Sequence, residues 1–104
     1  MDVFDALADP TRREIVRLLG ERPRRAGELA ATAGASAPAM SRHLRLLLEA
    51  GIVQDERVPD DARVRVFRLR PDSLVAVQAF LDQVKADWTV QLRSFKRHAE
   101  HREQ

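Results

Sequence analysis

The chain contains no cysteine. Disulfides and thiolate metal sites are therefore excluded, and the composition suits a reducing cytoplasm. No apolar run approaches the roughly 20 residues of a membrane-spanning helix, and no charged-then-apolar leader opens the sequence, so a soluble, cytoplasmic protein is expected. There is also no glycine-rich phosphate loop, no paired-carboxylate site and no nucleophile–base pair, which argues against an enzyme. Ser41 and His43 do not rescue that reading, because positions i and i+2 of a helix do not face each other. With 104 residues the chain can build one small domain, read as spanning 1–104, whose core is too modest to be generously stable alone. Association of two copies would relieve that.

What is present is arginine. It accounts for sixteen of the eighteen basic residues, and positions 12–70 carry thirteen arginines against eight acids, whereas 71–104 is balanced at five against five. Net charge is only +2, so its placement says more than its size. Arginine suits bidentate contacts to phosphate and guanine, although a genome's compositional bias yields the same excess.

The richer stretch runs from Arg25 to Val53. A short helix from about Ala26 to Thr32, burying Leu29 and Ala30, turns at Gly34 into a longer helix capped by Ser36 and ended by Gly51. In the second helix Met40, Leu44, Leu47 and Leu48 share an inner face. Ala37, Pro38, Ser41, Arg42 and Arg45 are left outside. That is how a helix-turn-helix, here 25–53, presents a helix to the DNA major groove.

Upstream, Asp2 to Ala8 reads as a short helix with Val3, Phe4 and Leu7 as its apolar contacts. Asp9 and Pro10 supply the N-cap and first residue of the next, in which Ile15, Leu18 and Leu19 face inward. Gly20 stands where a left-handed C-cap would end that helix, and Arg22 to Arg25 then reads as a loop. Downstream, Ile52 to Val58 and Arg63 to Arg70 alternate as strands around the turn residues Pro59 to Ala62, giving a hairpin, or wing, over 52–70. Phe67 and Leu69 share a face with Arg63 and Arg65. The strand is thus expected to run from core to solvent, leaving Arg63 and Arg65 near the tip.

A last helix, over 72–100 and capped by Asp72 or Ser73, carries Leu74, Val77, Leu81, Val84, Trp88, Leu92 and Phe95 at steps of three or four. The seam resembles a coiled coil and predicts a homodimer. Leu81, Val84, Trp88, Leu92 and Phe95 would form its interface, with Phe4 and Leu7 of the first helix alongside. The fold class expected is mainly helical with a small β-hairpin: four helices, two strands and a terminal dimerisation helix.

Four strings in this order, Ala6 to Arg13 (ALADPTRR), Gly27 to Ala30 (GELA), Ser41 to Leu44 (SRHL) and Glu49 to Val53 (EAGIV), resemble the ArsR/SmtB family of winged helix-turn-helix regulators. The likeness covers nearly the whole chain. RLRPDSL followed by a Trp-containing helix is similar to the subgroup without the founding metal site. The resemblance implies a homodimeric repressor that binds imperfect palindromes in double-stranded DNA until a signal releases it. It places DNA contacts at Ala26, Ala37, Pro38, Ser41 and Arg42. Since Ala37 and Pro38 offer no side-chain hydrogen bond, base readout should lean on Ser41, Arg42 and Arg45, with Arg63 and Arg65 of the wing reaching phosphates or the minor groove.

A second family site pairs Asp-x-His with His-x-x-His or His-x-x-Glu on the last helix of the other subunit. His98 and His101 match its second half; Asp87 stands where a histidine is usual, and Lys85 where the acid is. Two imidazoles and a carboxylate would suit nickel, zinc or copper. Asp87 lies about 16 Å along the helix from His98, so it could join only from an antiparallel partner. A solvated tail is the competing reading of HAEHREQ. A winged domain that docks a partner regulatory protein is a further alternative, since the fold does not oblige DNA binding.

Overall fold

The computed structural model describes residues 2–102. By internal contacts the chain divides into two units, one ending at Ser73 and the other beginning at Leu74. The first holds α1 (Val3–Leu7), α2 (Pro10–Glu21), β1 (Arg24–Arg25), α3 (Ala26–Ala33), α4 (Ala37–Glu49), β2 (Val53–Val58) and β3 (Asp61–Leu69); α5 runs Pro71–Arg102. This is a winged helix-turn-helix, mainly helical with a small antiparallel sheet.

The first turns of the helices follow from local chemistry. Asp9 accepts from the backbone N–H of Thr11 at 2.8 Å and of Arg12 at 3.1 Å, with Pro10 as the first residue of α2. Two arginines of the next turn reach back over the end of α1. Arg12 Nε donates to the Ala6 carbonyl at 2.7 Å, and Arg13 donates to those of Leu7 and Ala8, each at 3.0 Å. The string ADPTRR is thus a double cap, with a carboxylate starting one helix and two guanidiniums closing the other.

The Arg12 N–H bond, joined by that of Thr11 and the nearby Arg12 and His43 charges, holds the Asp9 carboxyl below its usual range although burial opposes it. A depressed carboxylate stabilises the fold above its unfolded pKa, and that stabilisation fades as pH falls through the folded one. Asp9→Ala should therefore cost about 0.5–2 kcal/mol at neutral pH, with the gap to the parent chain closing below about pH 4. Urea titrations at both pH values would read this out; a gap independent of pH would show that the carboxylate charge contributes nothing.

Ile15, Leu18 and Leu19 of α2, Leu29 of α3, and Met40, Leu44 and Leu47 of α4 are buried against Ile52, Val53 and Phe67. Leu48 and Ala30 are half-buried at the margin. In α1 the fully buried residue is Ala6, whereas Val3 and Leu7 are half-buried and Phe4 is 49% exposed. An alanine carries little hydrophobic signal, but it alone is small enough for α1 to approach the core closely.

The structure corrects several local expectations. Gly20 does not end α2, which continues to Glu21 and leaves through an extended Arg22; positive φ occurs at Gly34 and Gly51 only among the described residues. The helix persists because Arg24 turns back onto it, donating to the Leu18 carbonyl at 3.2 Å and pairing with Glu21 at 2.6 Å. A Cβ at position 20 would lie 4.0 Å from Leu69 Cδ1, an ordinary van der Waals contact, so neither backbone conformation nor space requires glycine there.

Arg24 and Arg25 are not loop but strand, pairing with Phe67 and Val66. The sheet accordingly has three strands, ordered β1-β3-β2. The hairpin turn is shorter than expected, since β3 starts at Asp61 opposite Val58. At the far end, α5 starts at Pro71, so Asp72 and Ser73 fall within its first turn; Ser73 Oγ donates to the Arg70 carbonyl at 2.9 Å.

Candidate nucleic-acid interface

The turn between α3 and α4 is built on Gly34, left-handed at φ 68°, whose N–H returns to the Ala30 carbonyl. Ser36 then caps α4 by accepting from the Ala39 N–H at 3.2 Å. With Met40, Leu44 and Leu47 drawn into the core, helical geometry forces Ala37, Pro38, Ser41, Arg42 and Arg45 outward, and all five are exposed. At thirteen residues α4 is about 20 Å long, enough to lie along a major groove. His43, on the flank, is half-buried at a helix junction, where its Nδ1 lies 3.4 Å from Arg12 Nη1.

The wing stands beside this face. Along β3 exposure falls from Arg63 and Arg65 to Phe67, as the alternating pattern required. Arg65 stacks over the Phe67 ring at 5.1 Å and pairs with Asp55 of β2 at 2.6 Å. Arg57, its direct cross-strand neighbour, turns instead to the Ala62 carbonyl at 2.7 Å, which relieves the juxtaposed charges. Arg63 is 93% exposed, with a loose 3.4 Å contact to Asp61. Of the two wing arginines, Arg63 is the freer to meet a phosphate, and Arg65 can do so only in competition with Asp55.

Between α4 and the wing lies a groove of about 600 Å³. Arg25, Arg45, Arg63 and Arg65 rim it, Leu44 and Phe67 lie in its floor, and Ser41 and the half-buried Ala26 complete its helical side. No carboxylate is among its lining residues. Five of the residues singled out in the sequence, Ala26, Ser41, Arg45, Arg63 and Arg65, thus line one basic groove, whereas Arg42 is exposed on α4 outside its lining. Arg25 was missed, because its role as α3 N-cap and β1 strand residue depends on pairing with Val66.

On α5, Leu81, Val84, Trp88, Leu92 and Phe95 are exposed by 46–73%. His98 and His101 are exposed one turn apart, whereas Asp87 accepts from Gln83 Nε2 at 2.9 Å eleven residues upstream on the same continuous helix. Among the described residues no three ligating side chains come together within one chain. Among the described residues no helix is long and apolar enough to cross a membrane.

Residues 9–55 match the profile described as "Bacterial regulatory protein, arsR family". The chain is 41% identical over 92 residues to the HTH-type transcriptional regulator Rv2034 of Mycobacterium tuberculosis, covering 88% of this chain and 80% of that protein. It is 41% identical over 56 residues to the transcriptional repressor SdpR of Bacillus subtilis, covering 54% and 62% respectively. An ArsR-like transcriptional regulator from Rhodococcus sp. RHA1 superposes with a TM-score of 0.76 at 32% identity, over 94% of this chain and 87% of the other. Fold, profile and relatives agree: the chain belongs to the ArsR family of bacterial winged helix-turn-helix transcriptional regulators and is not an enzyme.

Proposed function

We propose that this regulator is a homodimeric repressor that binds a palindromic operator. The observation that supports it best is the exposed outer face of α4, which presents Arg42 and on which Ser41 and Arg45 share a groove with the wing arginines. In this reading Ser41, Arg42 and Arg45 read base edges, and Ala37 and Pro38 give apolar contact to thymine methyl groups. Ala26, Arg63 and Arg65 hold the backbone. The apolar stripe of α5 pairs with that of a second copy, and two-fold symmetry sets two α4 helices about 34 Å apart on one face of the duplex.

The test is a fluorescence-anisotropy titration against DNA upstream of the chain's own gene and a scrambled control, in chelator and again with nickel or zinc. Preferential binding to the upstream DNA in chelator is expected, and equal affinity for both would overturn the reading. A tenfold shift with metal, about 1.4 kcal/mol of coupling, would bring in Asp87, His98 and His101 as a metal site shared across the dimer.

A further inference from the structure

The groove between α4 and the wing has a chemistry that a duplex does not need. A surface that only tracks phosphates requires cations, whereas this one sets an apolar floor beneath its cations. The half-buried Leu48 and Val64 supply its accessible apolar surface, over Leu44 and Phe67, which are already buried in the core. Arg25 and Arg45 on the rim have no carboxylate partner among the described residues, and Arg63 holds only the loose contact to Asp61. Its volume of about 600 Å³ falls within the range of small-ligand sites, about 300–1,000 Å³.

We propose that this groove binds a small amphipathic organic anion, a carboxylate or sulfonate with a hydrocarbon or aryl body, in competition with DNA. The body covers Leu48 and Val64, while the anionic head is held by Arg25 and Arg45, each of whose guanidinium forks matches a carboxylate. A bare inorganic anion leaves Leu48 and Val64 wetted, and a neutral amphiphile leaves two cations uncompensated; only the combination satisfies both halves. Ser41, Arg45, Arg63 and Arg65 line the groove and also belong to the DNA-reading face. Occupancy therefore blocks the operator directly, with no signal passed through the dimer. The binding half stands on the groove alone, and the competition rests on the DNA reading above.

The test uses the full chain, isotopically labelled for amide NMR, with octanoate, octanol and inorganic phosphate as probes. Saturable octanoate shifts are expected at Leu44, Leu48, Val64 and Phe67, with octanol and phosphate each at least tenfold weaker. Arg25→Gln with Arg45→Gln, both at exposed positions, should weaken octanoate at least tenfold while the circular dichroism stays unchanged. Octanoate should also release labelled upstream DNA from the parent chain. Shifts confined to α5, equal responses to octanol or phosphate, or no saturable shift would overturn the site. Octanoate held in the groove while DNA stays bound would overturn the competition. Failure of the chain to bind DNA at all, with octanoate still saturating the groove, would remove the operator reading and leave the site standing.

Discussion

Replacing Arg42 with alanine should abolish discrimination between operator and scrambled DNA while leaving the fold intact. Arg42 is exposed on the outer face of α4, and no ion pair within the chain holds it among the described residues. The cap at Ser36 and the buried Met40, Leu44 and Leu47 are untouched by its removal. A bidentate arginine–guanine contact carries about 1–3 kcal/mol of discrimination, and the proposed dimer would make it twice, so specific affinity should fall by roughly thirtyfold to twenty-thousandfold. Non-specific affinity should drop far less. Arg63→Ala should do the reverse, weakening all sequences alike and reducing the slope of log affinity against log salt by about one for each phosphate left without its cation. Parallel anisotropy titrations on operator and scrambled duplexes separate the two cases. Unchanged discrimination in Arg42→Ala would transfer base reading to Ser41 and Arg45.

The second large effect is expected on α5. Leu92→Glu should convert a dimer into monomers and reduce operator affinity by at least about a hundredfold, since a half-site held alone forfeits the gain from linking two binding units. Leu92 is 49% exposed and lies in the stripe with Trp88 and Phe95, which are 59% and 73% exposed. In the proposed dimer a carboxylate placed there would face apolar side chains of the second copy, where an unpaired charge costs several kcal/mol. Leu92 lies outside the buried core of the first unit, whose melting should therefore be unchanged. Sedimentation of both proteins at matched concentrations decides it. A parent chain that is monomeric at micromolar concentration, or a variant that still dimerises, would sink the assignment of this stripe.

The parts of the molecule that are plain in the sequence are those specified by neighbours a few residues away. The outward turn of Ser41, Arg42 and Arg45 follows from Met40, Leu44 and Leu47 at helical spacing, with Ser36 and Gly51 as its ends. The first residues of α2 follow from Asp9 and Pro10. What stays hidden depends on distant partners. Two residues of β1 have no periodicity to detect, and they are strand only because Phe67 and Val66 arrive beside them forty residues later. Gly20 permits a left-handed cap without requiring one, and Arg24 settles the matter from outside the helix. In the sequence Arg65 has the look of a free cation, because Asp55, its partner across the hairpin, sits diagonally from it in a register set by the turn. The arginines that close α1 are only letters of a motif until the bend between the helices brings them to the Ala6, Leu7 and Ala8 carbonyls.

The short strand β1 also makes the domain a measuring device. Arg25 is at once the last residue of β1, hydrogen-bonded into the sheet opposite Val66, and the N-cap of α3. The central strand β3 therefore carries the wing on one edge and the entrance to the helix-turn-helix on the other. Wing and entrance are rungs of one ladder, and the distance from the strand that bears Arg63 to the start of α3 is a fixed gauge. Lengthening the hairpin beyond Pro59 and Asp60 would extend the reach of its tip and leave that gauge unaltered. Shifting the β1–β3 register by a single residue would move every mark on it.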